Sequence, residues 1–253
     1  MLVGSIEAGG TKFVCAVGND NYQVQDISYF PTETPEKTLS KVINYFKQFP
    51  IEALGIASFG PLELRTSSTK YGHIMTSPKL DWRDADFIGT LKKEFNIPMF
   101  WTTDVNGSAY GEFVMSRLSN ENINSLVYYT IGTGVGAGII YNGNFIGDIG
   151  HPEMGHVPVK RRPEDANFKG TSPYHADCLG GLVCGRTFEA RLGMRGENVS
   201  KALPVWKTMA NYVAQALVQP TLTIRPGKIV IGGGVINDSF IQLIRDEFKI
   251  ILN

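Results

Sequence analysis

The chain has 253 residues, and its 24 Lys plus Arg balance 24 Asp plus Glu. That neutrality argues against a nucleic-acid binder, whose surface needs a basic excess. Apolar residues make up 43% and charged residues 19%, which is ordinary for a globular protein, and no apolar run approaches the roughly 20 residues that span a bilayer. Cys15, Cys178 and Cys184 are too few, and odd in number, for a disulfide framework. A strand pattern begins at once, without a signal-peptide layout. A cytoplasmic protein with reduced thiols is expected, holding two modest domains or one large one.

Residues 2–7, 12–18 and 22–30 read as strands, and Gly18-Asn19-Asp20-Asn21 joins the last two as a hairpin. A helix is predicted from Pro35 to Phe49, with Thr34 as N-cap, Pro35 at the first helical position, and Leu39, Val42, Ile43 and Phe46 as its apolar stripe. Ile51–Ala57 is a buried-type strand that leaves through Ser58-Phe59-Gly60-Pro61. Residues 62–83 read mostly as loop. A helix over Asp84–Phe95, a strand over Met99–Thr103 and a helix from Asp104 to Arg117 follow.

From Leu126 the pattern restarts as strand, glycine turn and strand, with a short strand at 144–147. Residues 160–180 form a long polar loop. Helices over 186–192 and 205–224 come next, the second expected to kink or break at Pro220. A strand at 229–231 leaves through Gly232-Gly233-Gly234, and a last helix covers Asn237–Leu252. The repeated hairpin-plus-helix layout reads as an internal structural duplication.

Chemistry concentrates at a few points. The run Val127–Ile140 carries Gly132, Thr133, Gly134, Gly136 and Gly138 across a strand turn, and Gly9-Gly10-Thr11-Lys12 is a shorter version near the N-terminus. Each turn alone is either a tight hairpin or an anion cradle; paired, they suggest two clamps on one polyphosphate. Asp104, at the end of a strand, either caps the next helix or serves as the base that phosphoryl transfer to a hydroxyl requires. In His151-Pro152-Glu153-Met154-Gly155-His156, Glu153 is suited to accept hydrogen bonds from vicinal hydroxyls, and His156 to bind a metal or donate to a ligand. His175 and Cys178 have the x₂ spacing of a zinc hairpin, so His156, His175 and Cys178 stand one ligand short of a closed site.

Together these motifs resemble the ROK family of sugar kinases, in particular its bacterial fructokinases. The likeness covers nearly the whole chain. It rests on Glu7–Lys12, Thr103–Asn106, Ile131–Gly138, His151–His156 and Gly232–Gly234, and Ser77-Pro78-Lys79 with Trp82 is similar to the fructokinase branch. The resemblance implies an α/β, actin-like (ribonuclease H-like) ATPase fold with two lobes, 1–105 and 106–253, around a cleft. It implies ATP with Mg²⁺, a hexose substrate with fructose favoured, and a homodimer. By likeness Asp104 is the base, and Thr103, Asn106, Glu153 and His156 contact the sugar. Gly9, Gly10, Thr11, Lys12, Gly132, Thr133, Gly134 and Gly136 face the phosphates, Gly232, Gly233 and Gly234 line the adenosine pocket, and zinc binds His156, His175 and Cys178.

The chain departs from the family pattern in three places. Ser172 stands where the zinc loop usually has a cysteine, and Gly180 where a glutamate usually contacts sugar. The sequence ends at Asn253, inside its last predicted helix, where family members continue, so a shortened second lobe is expected. Other readings are a sugar-binding relative without catalysis, and a kinase for an N-acylated or amino sugar. ROK repressors carry an N-terminal helix-turn-helix, whereas here a strand begins at residue 2.

Overall fold

Side-chain alternation along the first strands sets the architecture. In the computed structural model, which describes residues 1–253, β1 (Leu2–Ala8), β2 (Lys12–Asn19) and β3 (Val24–Pro31) form an antiparallel meander. Ile6, Ala8, Phe13, Cys15 and Val17 share one face and are buried, as a two-residue period dictates. α1 (Pro35–Phe46) contributes Leu39, Val42 and Phe46 to that core. β4 (Ala53–Ser58) pairs in parallel with β1. Next come the two-residue strands β5 (His73–Ile74) and β6 (Ala85–Asp86), then α2 (Phe87–Lys92). β7 (Met99–Thr103), parallel to β4, completes the order β3-β2-β1-β4-β7 and leads into α3 (Asp104–Leu118).

β8 (Ser125–Ile131), β9 (Val135–Tyr141) and β10 (Asn144–Phe145) repeat the meander. The helices α4 (Leu179–Leu182), α5 (Gly185–Leu192) and α6 (Val205–Thr223) follow, then β11 (Lys228–Gly232) and α7 (Asp238–Leu252). β11 runs parallel to β8, so the order β10-β9-β8-β11 reproduces β3-β2-β1-β4. Tyr129 and Ile131 pack with Trp206, Met209, Val213, Phe240 and Ile244 from α6 and α7. Leu126 and Ile140 meet Ala109 and Phe113 of α3. Each large side chain so buried contributes about 1.5–3 kcal/mol. The chain divides into two units, Met1–Gly107 with Gly147–Gly150, and Ser108–Ile146 with His151–Asn253.

Several sequence expectations are corrected. Helix α6 runs on through Pro220 to Thr223, so of the kink or break expected there the break does not occur. Proline cannot donate to the carbonyl four residues back, and that carbonyl, on Ala216, accepts the Tyr129 hydroxyl at 3.4 Å. The helix expected from Asp84 starts at Phe87. Asp84 has φ +59, and Asp86 caps the helix by accepting from Gly89 N at 2.7 Å. α1 stops at Phe46, three residues short of the expected Phe49. The segment 62–83 is mostly loop, as expected, with only β5 and a single short turn of helix at Leu80–Trp82 within it.

Candidate functional site

In the first unit the parallel strands end level. Ala8 pairs with Ser58 and Ser58 with Thr103, so Gly9, Phe59 and Asp104 emerge from one edge of the sheet. Gly9 and Asp104 are thus two strand spacings apart, about 10 Å. The Gly9–Thr11 turn is closed by Gly9 N donating to Lys12 O at 3.0 Å, and Thr32 Oγ1 donates to Gly9 O at 2.7 Å. Gly10 and Thr11 are exposed, while Lys12 places its Nζ 5.2 Å from the Tyr29 ring centre. Asp104 opens α3, and its Oδ1 accepts from Val105 N at 2.8 Å. Thr103 Oγ1 accepts from Asn106 N at 3.4 Å.

Asn106 is buried, and its Nδ2 donates to Gly150 O at 3.1 Å and to Thr102 Oγ1 at 3.3 Å. Its Oδ1 is buried without a partner, a costly state in a native site. Cys15 lies beneath the sheet, where burial pushes its thiol up to about 12, so it is no nucleophile at neutral pH.

In the second unit, β8 and β9 are joined by Gly132-Thr133-Gly134, with Thr133 and Gly134 exposed. Gly136 sits in β9 opposite Thr130. The turn is fixed from below by Gly185 N donating to Gly132 O at 2.7 Å and Arg186 Nε donating to Thr133 O at 3.2 Å. Gly232 ends β11 opposite Thr130, and Val235 N donates to Ile131 O at 3.0 Å. Gly233 has φ +101, and a Cβ there would lie 2.5 Å from Ile131 O, so only glycine fits. A cavity of about 560 Å³ opens beside Gly132, Thr133 and Gly234 and extends past Arg186 to Trp206 and Ile236. Its lining mixes apolar side chains such as Phe188, Trp206 and Ile236 with glycines and with charged groups including Arg186, Glu189 and Lys201, and its size suits a nucleotide-sized ligand. Lys201 stands 3.8 Å over the Trp206 ring, and burial lowers its pKa.

Arg186, Lys201 and Trp206 were not singled out as ligand contacts from sequence. Arg186 did carry a signal: a cation in the first turn of a helix opposes the macrodipole, which suggests a role beyond helix stability.

The ligand atoms of His156, His175 and Cys178 lie within 4.8 Å of one another. Cys178 Sγ is 3.8 Å from His156 Nδ1. Zn–S and Zn–N bonds near 2.3 and 2.0–2.1 Å set donors roughly 3.5 Å apart in a tetrahedron, so small adjustments would let the trio hold zinc. Ser172 Oγ accepts from the amides of Tyr174 and His175, each at 3.3 Å, and so shapes the turn that presents His175. Cys184 is buried at the N-cap of α5 and is not part of the trio. A Cβ on Gly155 would lie 2.1 Å from Val135 O, so the backbone before His156 lies flush on β9. Glu153 is open to solvent, with Oε1 3.8 Å from His151 Nε2. Gly180 lies on α4, where a Cβ would be 3.1 Å from Gly155 O.

The repeated meanders with parallel additions and a glycine turn in each sheet are those of an actin-like ATPase. The chain superposes on a ROK hexokinase from Thermus thermophilus with a TM-score of 0.81 at 23% identity, covering 100% of this chain and 89% of that one. It also superposes on a ROK glucokinase from Streptomyces griseus, solved with glucose and AMPPNP, with a TM-score of 0.73 at 20% identity, covering 100% and 90%. Residues 3–253 match the profile of the ROK family, and the chain belongs to that family. A fructokinase from Streptococcus mutans is 48% identical over 100% of this chain and 86% of its own length. One from Lactococcus lactis subsp. cremoris is 46% identical over 99% and 85%.

Proposed function

We propose that this chain transfers the γ-phosphoryl group of ATP to the primary hydroxyl of fructose, giving fructose 6-phosphate and ADP. The observation that carries the reading is the level ending of β1, β4 and β7. It sets a carboxylate two strand spacings from an open glycine turn, in a family whose similar members include fructokinases at 46–48% identity. Within the first unit lie Asp104 and the Gly9–Lys12 turn. Within the second lie the Gly132–Gly136 turn, the Gly232–Gly234 exit and a cavity suited to a nucleoside.

Asp104 accepts the proton as the hydroxyl oxygen attacks phosphorus and the bond to the β-phosphate oxygen breaks. Thr103, Asn106, Glu153 and His156 orient the sugar, and the orphaned Asn106 Oδ1 is suited to receive a hydroxyl proton. Exposed backbone amides at a glycine turn can hold phosphate oxygens without reorganisation. Mg²⁺ arriving with ATP neutralises phosphate charge. His156, His175 and Cys178 would hold zinc, which would tie the turn bearing His175 to the segment bearing His156 and supply structure rather than reactivity. The free, buried thiols suit a reducing cytoplasm, and no helix is long and apolar enough to cross a membrane.

A coupled ADP-release assay across hexoses tests the proposal, with fructose expected to give the highest kcat/KM. Absence of turnover with every hexose, in a folded sample that binds ATP, removes it.

A further inference from the structure

Lys79 is carried by a loop that is unusually well anchored. Ser77 is buried, and its Oγ accepts from Lys79 N at 3.1 Å. Arg83 Nε donates to Ser77 O at 2.9 Å, and Trp82 N donates to Lys79 O at 3.1 Å. Trp82 is itself buried. Its Nε1 donates to Glu33 O at 2.8 Å, and its ring lies 5.4 Å from Phe13 and 5.6 Å from Phe59. Phe59 follows β4 directly and Phe13 lies just inside β2, so the loop is pinned to the strand ends that carry the glycine turn.

From that platform the Lys79 side chain reaches Gly10. A Cβ placed on Gly10 would lie 3.7 Å from Lys79 Cε. Lys41 and Lys79 are the half-buried lysines of the first unit. Lys41 is paired with Glu33, whereas no hydrogen bond or ion pair involves Lys79 Nζ. Lys12, the lysine inside the turn motif, is engaged with Tyr29 instead. A half-buried lysine without a counter-charge, carried by an anchored loop beside a glycine turn, is placed to meet an anion.

We propose that Lys79 contacts a non-bridging oxygen of the phosphoryl group being transferred, supplying positive charge beside the Gly9–Gly10 turn. This rests on the phosphoryl-transfer reading above. Lys79 forms no covalent bond and gives up no proton. It donates charge-assisted hydrogen bonds that strengthen as charge spreads over the equatorial oxygens in the transition state. Because ADP lacks that group, Lys79 should distinguish ATP from ADP.

The test compares wild type, Lys79→Met and Lys79→Arg by calorimetric titration with ATP and with ADP (Mg²⁺ present, sugar absent), by thermal unfolding, and by steady-state kinetics with fructose. Lys79→Met is expected to unfold like wild type, bind ADP normally and bind ATP about tenfold more weakly, the size of one charge-assisted hydrogen bond. Its kcat is expected to fall roughly hundredfold, as when one preorganised donor is removed, and Lys79→Arg should recover most of both losses. Equal loss of ATP and ADP affinity, or no change in either, overturns the proposal. A wild type that turns over no hexose rejects the kinase reading, while the ATP-to-ADP comparison still decides the role of Lys79.

Discussion

Arg191→Met should destabilise the second unit by about 3–5 kcal/mol, the cost of removing one partner from a buried ion pair. Arg191 and Asp165 side chains are 8% and 10% exposed. The pair is bidentate, with Nε to Oδ1 at 3.0 Å and an Nη to Oδ2 at 2.7 Å. Arg191 also donates to Leu182 O at 3.0 Å and lies 3.8 Å from the Phe168 ring centre. Without it, Asp165 keeps only the Tyr212 hydroxyl, at 3.0 Å, as a side-chain partner. In a domain of this size the loss corresponds to a fall of about 6–20 °C in Tm. The segment around Asp165 also holds Arg161, which binds Phe168 O, Asp177 and Ala176 O and so braces the turn between His175 and Cys178. Hydrogen exchange should therefore rise first in α5 and around residues 160–182. The double variant Arg191→Met, Asp165→Leu removes both charges and should cost less than either single change, because no uncompensated charge remains. Urea unfolding and exchange mass spectrometry measure both effects. A single-variant loss below about 0.5 kcal/mol, or a double-variant loss equal to the sum of the singles, refutes the reasoning.

Gly233→Ala should weaken ATP binding tenfold or more in calorimetry, because a Cβ 2.5 Å from Ile131 O must displace the strand exit at about the energy of one lost hydrogen bond. Gly111→Ala, with nothing within 4 Å of its Cβ and a position inside α3, should instead raise stability by about 0.5–1 kcal/mol in urea unfolding. Ser172→Cys adds a thiolate to the metal trio and should tighten zinc binding roughly hundredfold in chelator competition, at least the effect of perturbing an outer-sphere partner. Arg65 holds the Glu63 carboxyl at about 2 rather than its ordinary 4.5, through the side-chain hydrogen bond first. That stabilisation is fully present above pH 4.5 and disappears as pH falls through about 2. Arg65→Met should therefore be less stable than wild type at neutral pH, with the difference vanishing in strong acid; a difference independent of pH would contradict the linkage.

Short-range chemistry was legible in the sequence, and long-range closure was not. The glycine turns, the Met99–Thr103 strand and the Asp104 helix start depend on residues within a few positions of each other, and the structure has each where the pattern placed it. The His156, His175 and Cys178 trio was readable because a close His-x₂-Cys pair advertises itself and His156 ends a motif already rich in ligand-type side chains; the structure brings their ligand atoms within 4.8 Å of one another. That α6 continues past Pro220 was not legible, because the carbonyl left without its helical donor is answered by Tyr129, 87 residues from Ala216. The Asp165, Arg191 and Tyr212 network spans separations of 26 and 47 residues and has no local signature. Lys79 stood out in sequence only within the Ser77-Pro78-Lys79 and Trp82 pattern, with no partner indicated; its approach to Gly10 exists because Trp82 anchors the loop to a core built from other strands.

The central claim is that Asp104 removes a proton from a sugar's primary hydroxyl as that oxygen captures the γ-phosphoryl group. Phosphorus NMR of wild-type and Asp104→Asn reactions with ATP and fructose tests it most directly. The account predicts fructose 6-phosphate appearing with ADP in the wild type, and in Asp104→Asn intact ATP alongside unchanged nucleotide and fructose affinity. Formation of a different phosphate ester, or near wild-type turnover by Asp104→Asn, would contradict it.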